Sequence, residues 1–481
     1  MIQLKNFING EFLNPIQNQW LDNYNPSNGS IYGQLPNSCL KDVNFAYEAA
    51  KKAFESWSNT PIEKRSAILL KIASLIDDNL DRFAEAESKD NGKPISVAKS
   101  LDVPRAASNF RFFGHAITQF QSESHETKSE KTINYTLRHP LGVVGCISPW
   151  NLPLYLLTWK IAPALAAGNC VIAKPSEITP YTAFLLGEIC NKAGLPKGVL
   201  NIIHGKGANA GQAIIEHEHI KAISFTGGTE TGKIIARTAA PMFKKLSLEL
   251  GGKNPNIIFA DCDYEKMLMS TVKSSFSNQG QICLCGSRIF VEASIFDQFK
   301  TDFIKSVSKL IVGPPSNKST QIGALVSKAH YEKVLSFIDR VGSGGSKLLY
   351  GGKRVHVKDH EGGYYLTPTI VQVESNSCQL NQEEIFGPVV TIMPFESESK
   401  VLEMANDVKY GLSATVWTNN LKRSLFFSEH LECGIVWVNT WMQRDLRTPF
   451  GGVKSSGLGR EGGFEILRFF TETKNICINY K

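Results

Sequence analysis

The segment Ser277-Asn278-Gln279-Gly280-Gln281-Ile282-Cys283-Leu284-Cys285-Gly286-Ser287-Arg288 sets thiols in a short loop with glycine on either side. An apparent helix (Tyr264 to Ser277) precedes it, and a β-branched, aromatic run (Arg288 to Val291) follows. Such a place, exposed at an element end and free of bulky neighbours, suits a nucleophilic cysteine. Upstream, Leu246-Ser247-Leu248-Glu249-Leu250-Gly251-Gly252-Lys253-Asn254-Pro255 puts a carboxylate among apolar residues just before a glycine pair. A buried acid of this kind is either a paired structural group or a proton-transfer group, and without compensation it is costly to keep without a use. Composition alone gives Cys285 the same claim as Cys283, since an isolated cysteine is more often an inert apolar side chain than a nucleophile.

Regular elements must position these groups. From Leu141 onward, strand-like runs Val143–Ser148, Cys170–Ala173, Val199–Ile203, Ala222–Phe225 and Lys245–Leu250 alternate with helical stretches starting at Leu152, Thr179, Asn209 and Thr229. Short buried runs alternating with helices predict a parallel sheet covered on both faces. A second alternating series runs from Asn256 to about Val438. Before Leu141, helical spacing covers Lys41–Trp57, Pro61–Asp90 and Ser96 to about Gln119. A polar stretch, Gln121 to Lys131, then leads into the strand-like Thr132–Leu137, and the tail Phe470–Asn479 alternates like an exposed edge strand.

The chain has 481 residues, too many for one ordinary core, and 42% hydrophobic with 20% charged residues marks an ordinary globular composition. No apolar run spans a bilayer and no signal peptide is read at the N-terminus. The ten cysteines show no CxxC pair and no zinc-like spacing. Reduced thiols in a cytoplasm are expected rather than a disulfide framework, and no metal site. A net charge of +7 without a Lys/Arg run gives no nucleic-acid footprint. It leaves room for an anionic small molecule.

The Glu249 and Cys283 segments together resemble the aldehyde dehydrogenase superfamily, over essentially the whole chain. The resemblance selects Cys283, second after Gln281, as the thiol that attacks the aldehyde. It implies that Glu249 activates water and that Asn151, in Ser148-Pro149-Trp150-Asn151-Leu152-Pro153, helps hold the oxyanion. It also implies NAD. Phe225-Thr226-Gly227-Gly228-Thr229-Glu230-Thr231-Gly232 follows a strand and opens a helix, where small residues and unpaired N–H groups admit a pyrophosphate. The spacing is not the common GxGxxG, and many members of the family carry Ser where this chain has Gly228. Lys174, Ser176 and Glu177 fall where the family approaches the adenine ribose, and a carboxylate there favours NAD over NADP. Glu384 and Phe386 match the hold on the nicotinamide ribose. Ile147, Ser148, Pro149, Trp150, Gly207, Gly211, Leu250 and Gly251 complete the cofactor residues that the resemblance implies.

Arg105 and Arg444 stand where relatives acting on apolar aldehydes carry aliphatic or aromatic residues. Two guanidinium groups suit a substrate carboxylate, as in the muconic semialdehyde branch of the family. Surface salt bridges are the rival account of both, and Arg447 is left open. The alternatives are a general aliphatic or betaine aldehyde enzyme, a coenzyme A-acylating enzyme (against which Glu249 argues) and a catalytically silent structural protein. The expected architecture is α/β, with two doubly wound parallel-sheet domains and a small β arm. The cofactor domain is expected over residues 1–119 and 140–251, the catalytic domain over 252–463, and the arm over 120–139 and 464–481. The arm should pair copies into a homodimer or tetramer.

Overall fold

The computed structural model describes residues 1–342 and 345–481. Two large sheets organise it. In the first, Lys245–Glu249, Ala222–Thr226, Val143–Ile147, Cys170–Lys174 and Leu200–Ile202 lie side by side and all parallel. Most of their residues are buried, which is why these strands read as continuous apolar runs. The hairpin Asn6–Ile8/Glu11–Leu13 extends one edge through an antiparallel pair, Ile202 with Phe7. Gly457–Leu458 covers the other edge antiparallel to Lys245–Glu249, so the first sheet takes a strand from the 252–463 segment.

The second sheet has the order Lys347–Tyr350, Thr369–Gln372, Val389–Phe395, Arg288–Glu292, Pro255–Ile258, Ser413–Trp417, Ile435–Val438, parallel except for its first strand. The parallel sheets and their helices make the chain an α/β protein. A third, three-stranded sheet pairs Ser124–Thr127 and Thr471–Asn479 with the two sides of Thr132–Pro140. Between this arm and the second sheet, residues 464–470 do not join the arm. The helix Glu465–Phe469 turns inward, and Ile466, Leu467 and Phe470 are buried in the first core, because three large apolar side chains in one turn favour packing over an exposed strand.

The helical run from 61 to 90 is two helices, Ile62–Asp78 and Leu80–Asn91, separated at Asn79. The second ends at Gly92, whose φ of 82° is the left-handed helix stop that glycine adopts without strain. The stretch after Ser96 contains a π-helical turn, Ala98–Asp102, before the helix Val103–Ala116. Pro153–Ala166, which starts on a proline and is buried along its whole length, packs against the central strands Val143–Ile147 and Cys170–Lys174. Among the described residues no helix is long and apolar enough to cross a membrane.

Candidate active site

The nucleophile loop is held in an unusual conformation. The helix Tyr264–Phe276 gives way to Asn278 (φ 50°) and Gln279 (φ 58°), both left-handed, and then Gly280 (φ 72°). Left-handed non-glycine residues cost roughly 1–3 kcal/mol each and persist only where the surroundings hold them. Here the Asn278 amide donates to the carbonyls of Asn151 (3.0 Å) and Gln281 (3.2 Å), and the Gln279 amide to that of Ala324 (3.0 Å). A Cβ on Gly280 would stand 2.1 Å from the Gly387 carbonyl oxygen, so only glycine allows this approach. Asn254 then pins the loop itself, donating to the carbonyls of Cys283 (2.7 Å) and Cys285 (2.9 Å). Cys283 emerges half-buried at a cavity wall. Cys285 is buried in an apolar cluster with Leu412, Trp437 and Trp441. That difference in exposure separates two thiols which composition could not.

The cavity beside Cys283 encloses about 280 Å³. The 149–151, 226–228 and 250–251 segments line it, with Glu384, Phe386, His330 and Lys333. Asn151 is buried, and its amide donates to the Gln281 carbonyl at 3.0 Å. Glu384 accepts from the Gly252 N–H at 2.9 Å, and a Cβ on Gly251 would stand 2.3 Å from its carboxylate. Trp150 meets Phe386 edge-on at 5.2 Å between ring centroids. Phe386 has a φ of 61°, and its carbonyl is held 2.7 Å from the His330 ring nitrogen. Burial depresses His330 to about 4, so this ring is neutral. Sequence reading missed His330 and Lys333, which carry no local motif.

Glu249 ends its strand fully enclosed, and its Oε1 has no hydrogen-bond partner. Burial pushes its carboxyl well up, and Glu461 pushes it further; Lys160, Arg444 and Arg460 oppose this. The Lys160–Glu461 pair was also missed. It is completely buried, 2.6 Å apart, with Ser224 donating to Glu461 at 3.2 Å. Cys283 is likewise held as the thiol. Burial raises it most, Glu249 and Glu384 add to this, and Arg444 pulls the other way.

The remaining expected cofactor residues lie at the C-terminal ends of the first sheet's parallel strands and in the loops and helix starts beyond them. The buried Lys174 ammonium donates to Glu177 at 2.8 Å, and Glu177 also accepts from the Gly207 N–H at 3.2 Å. Burial alone would raise Glu177, but the Lys174 ammonium outweighs it and the carboxyl lies below its usual range. The Ser176 hydroxyl accepts from the Ile178 N–H at 3.3 Å, and Gly211 lies against the Lys174 stem. Ile147 and Phe225 are core residues of their strands. The hydroxyls of Ser148 and Thr226 are buried without partners. Gly228 caps the helix Thr229–Ala239, with open space where a Cβ would be. The Thr229 hydroxyl is turned to the Ser455 carbonyl (3.4 Å), and Gly232 packs on Leu250.

Arg105 and Arg444 lie in a second cavity of about 750 Å³. Their guanidinium groups share one aromatic wall: Arg105 is 5.4 Å from the Tyr155 ring and 5.6 Å from Trp159, Arg444 5.9 and 5.6 Å from the same rings. Arg444 also stacks on Phe450 at 3.9 Å and donates to the Tyr155 hydroxyl at 2.6 Å. Two buried nitrogens of Arg105 have no acceptor. Neither arginine makes a salt bridge among the described residues. Arg447, by contrast, is exposed and bound to Asp445 at 2.6 Å. Phe450 and Trp437 of the second cavity pack in the apolar cluster on which Cys283 of the first rests.

One half-buried thiol at a cavity wall, with a buried unpaired carboxylate nearby and two parallel α/β sheets around it, defines the class: a two-sheet enzyme built on a cysteine. The chain belongs to the aldehyde dehydrogenase family, whose model matches residues 12–476. It is 47% identical to the human 2-aminomuconic semialdehyde dehydrogenase, an alignment covering 100% of this chain and 99% of that protein. It is 43% identical to the 2-hydroxymuconic semialdehyde dehydrogenase of Pseudomonas sp. (strain CF600), over 99% and 100%. Among solved structures it resembles the NAD+ complex of the Bacillus cereus aldehyde dehydrogenase, with TM-score 0.97, 37% identity, and coverage of 100% and 97%.

Proposed function

We propose that this chain oxidises a muconic-type semialdehyde, carrying a carboxylate remote from the aldehyde, to the dicarboxylic acid with NAD. The observation that carries the substrate class is the pair of guanidinium groups on the Tyr155–Trp159 wall, neither in a salt bridge among the described residues and Arg105 with two buried nitrogens lacking an acceptor. Buried cationic donors left without an acceptor are costly, and a bidentate carboxylate satisfies them. The muconic relatives named above support the same class.

Cys283 is the proposed nucleophile. Its sulfur loses a proton and attacks the aldehyde carbon, forming a thiohemiacetal. The Asn151 amide has a second N–H beyond the one given to Gln281, and with the Cys283 backbone N–H it stabilises the oxyanion. NAD, when bound, supplies the hydride acceptor. The thioester left on Cys283 is hydrolysed by water that gives its proton to Glu249, which must be ionised at that moment. The residues present fit the cofactor. Gly228 leaves the helix N-terminus open, the hydroxyls of Ser148 and Thr226 lack partners, and Gly251 leaves room for the Glu384 carboxylate. Lys174 and Glu177 would hold the adenine ribose, Thr229 and its neighbours the phosphates, and Glu384 and Phe386 the nicotinamide ribose. Glu177 would repel a 2′-phosphate, which favours NAD over NADP.

The exposed edges of the three-stranded arm support pairing with a second copy, as a dimer or tetramer. The deciding assay follows NADH absorbance with 2-aminomuconic and 2-hydroxymuconic semialdehydes against an uncharged aldehyde of similar length. Preference for the charged substrates is expected; equal kcat/KM for all three returns the chain to a general aldehyde dehydrogenase.

A further inference from the structure

We infer that Lys93 is a positioning residue for Asn151, fixing the oxyanion donor to the same anchor as the helix that carries Arg105; this rests on the oxyanion role proposed for Asn151. Lys93 is completely buried just after the helix stop at Gly92. Its three N–H groups have three acceptors: Asp102 at 2.9 Å, Glu87 at 3.3 Å and the Asn151 carbonyl at 3.2 Å. The same carbonyl receives the amides of Asn278 (3.0 Å) and Asn91 (3.3 Å), and Asn91 also donates to the Trp150 carbonyl at 2.9 Å. Glu87 accepts from the Leu154 N–H at 3.3 Å, closing the far side of the loop.

The 150–152 loop and the start of the helix after it are thus tied by their backbone to residues 87–93, and the Asn151 amide extends from this anchored backbone to the Gln281 carbonyl. Asp102 ends the π-helical turn that opens the helix Val103–Ala116, three residues before Arg105. Single-turn π bulges occur often at functional sites. One ammonium between two buried carboxylates is not an economical way to stabilise a core, since apolar replacements of buried ion clusters are often neutral or favourable. Its three bonds, divided between the Arg105 helix, the Glu87 helix and the oxyanion loop, give it a geometric use instead.

The experiment is a double-variant cycle on the full chain, with NADH burst and steady rates measured separately. Asn151→Ala removes the donor and should slow the reaction about 10²–10³-fold. Lys93→Met keeps the length and drops the ammonium; a misplaced donor should slow both burst and steady rate by up to about a hundredfold, with the NAD dissociation constant unchanged. In the Asn151→Ala background the same change should cost no more than about twofold, because the donor it positions is already gone. If Lys93→Met unfolds, the neutral variant Glu87→Gln/Lys93→Met/Asp102→Asn should recover the Tm without recovering the rate. Losses that multiply in the double variant, or a rate that returns together with the Tm, overturn the positioning role while leaving Asn151 its own. Full activity of Asn151→Ala overturns the oxyanion role first and this inference with it.

Discussion

The cavity at Cys283 and the arginine cavity are built from different materials. The smaller is lined by three glycines and a carboxylate beside Trp150, Phe386, His330 and Lys333, and its shape depends on missing atoms: a Cβ on Gly251 would collide with the Glu384 carboxylate, and one on Gly228 would meet open space. The larger is walled by long side chains, two guanidinium groups over Tyr155, Trp159 and Phe450. A wall of glycines recognises a ligand through main-chain groups and close approach. A wall of arginines on aromatics recognises charge, and one substitution can retune it without touching the backbone. Changes on the first side should therefore act on every substrate alike, and changes on the second should discriminate between substrates.

The largest effect is expected at the nucleophile. Cys283→Ala should abolish NADH formation with cofactor binding intact, since only covalent attack is lost. Cys285→Ala should stay active, its thiol being buried in the apolar cluster rather than at the wall of the NAD-side cavity. Reversed results would mean that the half-exposed thiol is not the nucleophile.

Glu249→Gln should come next. Thioester still forms but hydrolyses slowly, giving a burst of NADH and a steady rate lower by about 10²–10⁴-fold, the usual size of a general-base contribution. Loss of the burst as well would put Glu249 in thiol activation. The raised carboxyl also sets a pH dependence. Only the ionised form accepts a proton, so hydrolysis should increase as pH rises through the elevated Glu249 pKa. Glu461 contributes to that elevation and Lys160 opposes it, so Glu461→Gln should move the acidic limb of the steady-rate profile to lower pH. An unmoved limb would separate the buried pair from Glu249.

Legibility in the sequence followed the range of the interactions. The first sheet's central strands were legible because each is a short apolar run between helices; Cys283, Glu249 and Asn151 were legible as candidates because they sit in contiguous motifs. The N-terminal strands were not, since Glu11–Leu13 has only three residues, none of them buried. The break at Asn79 carries no Pro or Gly to announce it. Lys160 and Glu461 are 301 residues apart, and each alone looks like a solvated charge. His330 was silent for the same reason, its partner being a backbone carbonyl 56 residues away. The start of the C-terminal arm was misjudged because alternation in Phe470–Asn479 says nothing about the helical turn before it.

On the arginine side, Arg105→Met should lower kcat/KM about ten- to a hundredfold for a muconic semialdehyde, from a charge-assisted pair worth roughly 1.5–3 kcal/mol. An uncharged aldehyde of similar length should be turned over almost unchanged. Arg444→Met is the less selective variant, because Arg444 also pulls down the Cys283 thiol and the Glu249 carboxyl. Both classes of aldehyde should lose rate with it. Equal losses from Arg105→Met on charged and uncharged substrates would remove the distinction between the two walls.

The smallest effect is expected at Gly228. Its φ of −70° suits any residue, and no atom lies within 4 Å of a built Cβ, so Gly228→Ser meets neither strain nor collision. Serine at a helix N-cap gains only a few tenths of a kcal/mol over glycine, so Tm should hardly move. The added hydroxyl faces the open N-terminus where a phosphate would approach. One extra hydrogen bond, about 0.5–1.5 kcal/mol, should tighten NAD binding about two- to tenfold in a fluorescence titration. The gain should be the same whichever aldehyde is then oxidised, because this helix end is proposed to hold phosphate and not the substrate. An NAD affinity that does not change would place the phosphates away from this helix end, and a gain that depended on the aldehyde would break the division between the cavities.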